Sequence, residues 1–342
     1  MNGLERVKAA LAFAAPDVAP VICQVFGHAA TLAGVPLENY LQDGDLLARC
    51  QIGAWERYGH DAVFALMDVN VEAEALGARL CRRSGQYPGL KSHSLADAKG
   101  LGGLKLPNPN SDGRMPQLLR AAALLRAEFG DSVPVVGCVL GPMTLALQLM
   151  GWQEALWFAI DHPDDFERLL GFTTEVGLLF GRAQLESGVH LPLIFDPGAS
   201  TLVLTPQFFR EFAVPSLKKL AEGLKLAGSM ATWLHITGPV ETILSYYPQI
   251  GVDLANIDYM ADLAQARETL PTVCLDGNLK PASFVIEEPE SIAREAARLV
   301  NRFGPGAGYI LSQGCELPLE SRPENVRAMV AAGREAGVSC PA

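Results

Sequence analysis

The chain has 342 residues, 49% of them apolar and 19% charged, so it can bury a large core and is too apolar to be disordered. Its net charge of −11 leaves no basic surplus for phosphates, which argues against nucleic acid as a partner. No apolar run approaches a membrane span, and the seven cysteines, odd in number and without a CxxC, fit a reducing cytoplasm.

In chain order, MNGLERVKAALAFAAPDVAP reads as an amphipathic helix ended by Pro16, not as a signal peptide. Residues 1–60 are expected to be mostly helical and to cap the rest of the chain. From there on, short β-type runs alternate with helical ones. The runs are DAVFALMD (61–68), VPVVGCV (133–139), LPLIFDP (191–197), ATWLHIT (231–237), VDLANID (252–258), TVCLDGN (272–278) and GYILSQG (308–314). Between them lie segments such as MPQLLRAAALLRAEFG and PESIAREAARLVNRFG. Such alternation means parallel strands with right-handed crossovers. Seven strands are clear, and an eighth is expected within 85–110, which is rich in Gly, Pro and Asn. The predicted fold is a single domain over 1–342, an α/β (β/α)8 TIM barrel with an N-terminal helical extension capping it. A doubly wound open sheet is the alternative, but no glycine-rich phosphate loop follows the first strand.

In such a barrel the C-terminal strand ends face one pocket. They supply Asp68, Gly141, Asp196, His235, Asp258, Asn278 and Cys315 as candidate site residues. Each has a bland reading: Asp196 and Asn278 as turn formers, Asp258 as a helix cap, His235 and Cys315 as core residues. An imidazole and a thiolate meeting at one mouth can hold zinc. Thr237 stands two after His235, where a second cysteine would complete the obvious site.

At these residues the chain resembles the uroporphyrinogen decarboxylase superfamily. The resemblance runs over about 20–335 through YGHDAVFALMDVNVEAEALG (58–77), GRMPQLLRAAALL (113–125), GPMTLALQLMG (141–151), IFDPGAS (194–200), LHITGP (234–239), DGNLKP (276–281) and ILSQGCELPLESRPENVRAMV (310–330). MDVNVEAEALG and GCELP favour its corrinoid-dependent methyltransferase branch. Two departures set the chain apart from the decarboxylases. Their arginine-rich N-terminal stretch is matched by ICQVFGHAATLAG, which has no arginine to grip acidic side chains. Their final histidine is replaced by Cys315, although Asp68 matches their central aspartate.

The resemblance implies methyl transfer between a cobalamin and a small-molecule donor or acceptor. With no DxHxxG motif in the chain, a small corrinoid protein is the expected partner. It further implies zinc held by His235, Asp258 and Cys315, with Thr237 weakening the site by removing an anionic soft ligand. Two other readings stay open. One is a zinc-free lyase or decarboxylase in which Asp68, Asp196 and His235 do acid–base work. The other is a relative that binds a corrinoid or tetrapyrrole without catalysis. Gly141, Met143 and Asn278 are candidates for contact with a flat cofactor; Gly141-Pro142 also reads as a plain strand-to-helix turn, with Thr144 early in the helix. The aperiodic stretch 84–114 is a candidate lid carrying Tyr87, His93 and Arg114. His28 is a candidate for the mouth. Cys23, Cys138 and Cys274 are further thiols, the last two expected in the core.

Overall fold

The computed structural model describes residues 1–95 and 98–336, so Cys340 lies outside the described residues. Its strands are β1 (Val63–Phe64), β2 (Arg79–Cys81), β3 (Gly89–Ser92), β4 (Val135–Leu140), β5 (Leu191–Phe195), β6 (Trp233–His235), β7 (Leu254–Ile257), β8 (Cys274–Leu279) and β9 (Tyr309–Gln313). Seven of them form one sheet in the order β1-β4-β5-β6-β7-β8-β9, and every pairing in it is parallel. The seven predicted runs are these seven strands. Their spatial order follows the sequence, without the reversal of a doubly wound sheet.

The apolar runs are nearly continuous because both sheet faces are buried, and alternate side chains serve different cores. Phe64, Val136, Leu193, Trp233, Leu254, Cys274 and Ile310 pack together on the inner face. Val63, Val135, Ile194, Leu234, Ala255, Leu275 and Leu311 pack outward against the helices. Continuing the inner parity toward the C-terminal strand ends brings in Asp68, His235, Asn256, Asp276 and Ser312. The inner core therefore turns polar as it nears one rim.

The eighth strand expected within 85–110 has to be corrected. Among its described residues that region supplies only β3, which pairs antiparallel with β2 in a separate two-stranded sheet, followed by a 3-10 turn over Ala98–Gly103. The β3 side chains are exposed or half-buried, and the Gly and Pro residues of the region suit no doubly buried strand. Instead, the apolar segment 20–25 lies along β9. Val21 bridges Leu311, and the Ile22 and Leu311 N–H groups donate to Leu311 and Pro20 carbonyls, both at 3.0 Å. On its other side the Asp61 N–H donates to the Val21 carbonyl at 2.7 Å, just before β1.

Residues 1–60 are mostly helical, with helices at Gly3–Leu11, His28–Leu32, Leu37–Tyr40 and Gly44–Tyr58. The first begins with a capping box between Asn2 and Glu5. It packs Val7 and Ala10 into the inner core beside Leu191 and Ala231, where the strands start. Among the described residues, no helix is long and apolar enough to cross a membrane.

Candidate active site

A cavity of about 150 Å³ opens at the C-terminal strand ends. Phe26, Phe195 and Tyr87 give it aromatic walls, Leu66, Met67 and Pro88 add apolar surface, and Asp68, Cys315 and Glu316 bring chemistry. Among the described residues, no lysine, arginine or histidine lines it.

Asp68 ends the segment after β1 and is fixed from three sides. Both its oxygens accept from the Arg114 guanidinium, and the Asn70 N–H donates to Oδ1 at 2.8 Å. Arg114 also donates to Glu74 and to the Leu41 carbonyl at 3.0 Å. Desolvation works against its charge, but the two carboxylates prevail and hold its pKa above the ordinary value.

His235, at the end of β6, is fully buried with its ring edge-on to Phe195, centroids 4.7 Å apart. Neither ring nitrogen has a hydrogen-bond partner. Burial pushes its pKa down to about 3, so the imidazole is neutral. Asp258, after β7, has both oxygens engaged by backbone, Oδ2 by Gly238 N–H and Oδ1 by Met260 N–H, each at 2.9 Å. Cys315 follows β9 into the cavity wall, and burial pushes its thiol up to about 12. Half-buried Thr237 gives its carbonyl to the Ser200 hydroxyl at 2.6 Å. Among the described residues, no three His, Cys, Asp or Glu side chains are grouped to hold a metal ion, so His235, Asp258 and Cys315 do not form such a group.

Asp196 lies behind the rim. Its Oδ1 accepts from the N–H and hydroxyl of Thr144, at 2.7 and 2.6 Å, at the start of the helix Pro142–Met150. A carboxylate there suits the helix N-terminus, but burial prevails and pushes Asp196 up to about 6. Gly141 is required for this approach, since a Cβ there would stand 2.1 Å from the Asp196 carboxyl carbon. Met143 is fully buried in the outer core. Asn278 ties down the loop after β7 by donating to the Asp258 and Ala261 carbonyls at 3.3 and 2.9 Å. It lines a separate polar cleft of about 590 Å³ walled by Lys280, Glu295 and Arg298, none of which lines the mouth cavity.

Of the other candidates, Tyr87 reaches the mouth cavity, whereas His93 bonds the Gln148 carbonyl at 2.7 Å. His28 is buried between the Leu319 carbonyl and the Tyr58 hydroxyl. Cys23 and Cys274 are buried, and Cys138 is half-buried against the inner core.

Three carboxyls were not singled out in the sequence. The Tyr87 hydroxyl donates to Glu316 and accepts from the Gly27 N–H at 2.7 Å; burial, aided by Asp68, pushes Glu316 up to about 7. Glu72 accepts the Leu140 N–H at 2.8 Å and is pushed by burial to about 7. Asp276, in the inner core, takes the Trp233 indole N–H at 2.9 Å and the Asn256 amide at 2.7 Å, and burial again pushes it to about 7. Glu316 had a signal, standing next to Cys315 at a strand end. Glu72 had none beyond its place in VEAEALG.

Fold and site together define an α/β protein with its polar, chemically equipped groups at the C-terminal ends of a sequentially wound parallel sheet. The family described as Uroporphyrinogen decarboxylase (URO-D) matches residues 2–336, and the chain belongs to that family. Its relatives carry two kinds of name. A methylcobamide:CoM methyltransferase of Methanosarcina mazei is 27% identical over 294 residues, covering 84% of each chain. A uroporphyrinogen decarboxylase of Aromatoleum aromaticum is 29% identical over 283 residues, covering 80% of this chain and 78% of that one. A solved structure of a methyltransferase from Methanosarcina mazei superposes with a TM-score of 0.90 at 27% identity, covering 98% of this chain and 99% of that one.

Proposed function

We propose that this chain is a methyltransferase that moves a methyl group between a corrinoid carried by a separate small protein and a small molecule held in the mouth cavity. The observation that carries this reading is the cavity lining: a thiol, two carboxyls and aromatic walls, with no cationic side chain among the described residues. A polycarboxylated tetrapyrrole has nothing there to pair with, and ICQVFGHAATLAG offers no arginine nearby. The similarity to methyltransferases over almost the whole chain supports the same choice. We further infer that the sheet closes as a (β/α)8 barrel, with segment 20–25 as the eighth stave between β9 and β1 and the N-terminal helix over its far end.

Zinc does not fit the donors as they stand. No three candidate donors are grouped among the described residues, both Asp258 oxygens serve backbone N–H groups, and no soft anion stands at Thr237. The remaining chemistry belongs to the chain itself. The apolar walls exclude water from a transferring methyl group. The Arg114-paired Asp68 fixes one side of the cavity, and Tyr87 orients Glu316 on another. With its carboxyl near 7, Glu316 is placed to take the proton that an X–H acceptor loses on methylation.

The test mixes the protein with a methylated corrinoid protein and candidate acceptors, following the corrinoid's visible spectrum. Glu316→Gln and Cys315→Ala, both in the cavity wall, are expected to lose most of the rate, and exposed Cys81→Ala none of it. No spectral change with any acceptor would overturn the reading. Metal content gives a separate prediction. Thr237→Cys is expected to purify with more zinc than the parent protein, because it adds an anionic soft donor beside His235. Equal zinc in the two forms would place residue 237 away from any metal position.

A further inference from the structure

We propose that the mouth cavity selects a small methylated onium cation, a quaternary ammonium or sulfonium, as the methyl-bearing molecule, with Glu316 as its counter-charge and Phe26, Phe195 and Tyr87 as its walls. The inference rests on the methyltransferase reading of the same site and names its substrate class.

The cavity carries an imbalance of charge. Glu316 is a carboxyl in the wall of a mostly apolar cavity, and its donors are the Tyr87 hydroxyl and the Gly27 backbone. A carboxylate in such a place ordinarily has a cationic partner. Arg114, the cation paired with the cavity's other carboxyl, is committed to Asp68, Glu74 and the Leu41 carbonyl. The other titratable groups around Glu316 are Asp68, Cys315, Tyr87 and Tyr40, none of them basic. The missing charge must therefore arrive with the ligand. Three aromatic rings beside it suit a cation whose charge is spread over methyl groups. A volume of about 150 Å³ suits a small molecule. A thiol carrying a sulfonate would instead meet Glu316 as a like charge.

The transfer balances with a reduced corrinoid, Co(I), as co-reactant. The carbon–nitrogen or carbon–sulfur bond breaks and its electron pair stays on nitrogen or sulfur. The methyl group joins cobalt, which becomes Co(III), and a neutral amine or thioether leaves. No proton moves in that step.

Calorimetric titration of the full chain with choline and with its uncharged isostere 3,3-dimethyl-1-butanol tests this. Choline is expected to bind about tenfold tighter or more, with a preference that disappears in Glu316→Gln. Should Glu316→Gln not fold, the isostere pair on the parent protein decides alone. Equal binding of the pair, or tighter binding of 2-mercaptoethanesulfonate, overturns the inference. Methyl transfer to a thiol without a choline preference sinks the inference and leaves the methyltransferase reading standing. A choline preference with no methylation of Co(I) supports the cation site and overturns the methyltransferase reading.

Discussion

Arg114→Ala is expected to lower folding stability by about 3–5 kcal/mol, the range seen when one partner of a buried ion pair is removed. The guanidinium is 8% exposed and the Asp68 carboxylate 2%, so solvent screens neither. Removing Arg114 leaves Asp68 without its cation, half-buried Glu74 with only the exposed Arg82 at 2.6 Å, and the Leu41 carbonyl without a donor. The cavity left by a long side chain adds to the loss. Because Asp68 lines the mouth, ligand binding should weaken with stability. The measurement is urea unfolding of the parent and variant proteins, read as a shift in midpoint at constant slope. Arg114→Lys should fall between them, since a lysine keeps the charge but cannot fork onto both Asp68 oxygens. A loss below about 1 kcal/mol for the alanine variant, the range of a surface pair, would show that the triad is solvated and not buried.

Arg114 also marks what sequence reading can and cannot reach. It stood in an aperiodic, Gly- and Pro-rich stretch and read as a loop residue. Its meaning lies in Asp68, 46 positions earlier, and no local pattern reports such a pairing. The seven strands were legible because doubly buried parallel strands are short unbroken apolar runs between helical periods. The segment 20–25 was not, because it contributes one bridge and a few hydrogen bonds, without a full ladder. Strand parity explains the site in the same way. His235 and Asp276 lie on the inner face, two residues beyond Trp233 and Cys274, but a buried aspartate inside CLDGNL looks like a turn signal until the sheet is assembled. Asp196 was legible as a strand-end acid, but the sequence did not show that its Oδ1 serves the start of a neighbouring helix.

Stability is expected to fall as pH rises from about 7 to about 8. Asp276, Glu72 and Glu316 have ordinary values of 3.8, 4.5 and 4.5, and burial raises each to about 7. Between those limits the folded chain keeps protons that the unfolded chain has lost. Stability changes with pH in proportion to protons bound unfolded minus protons bound folded, so these groups make it fall as pH rises. Four histidines act in the opposite direction, with His28 and His190 also lowered by burial. Burial lowers His235 to about 3 and His60 to about 4 from 6.5, so their stabilisation grows with pH but is complete by about pH 7. Above that point the three carboxyls act unopposed by the histidines, each contributing a loss of about 0.4 kcal/mol between pH 7 and pH 8. Unfolding midpoints in urea at pH 7 and 8 measure the sum. Asp276→Asn should remove one share of the slope while keeping the inner core intact. Its carbonyl can still accept the Trp233 indole N–H, and Asn256, whose own carbonyl oxygen has no partner, can turn its amide to accept the new one. Stability that stays level or rises from pH 7 to pH 8 would mean that these carboxyls are ionised in the folded protein, and that the polar layer beneath the mouth holds charge and not protons.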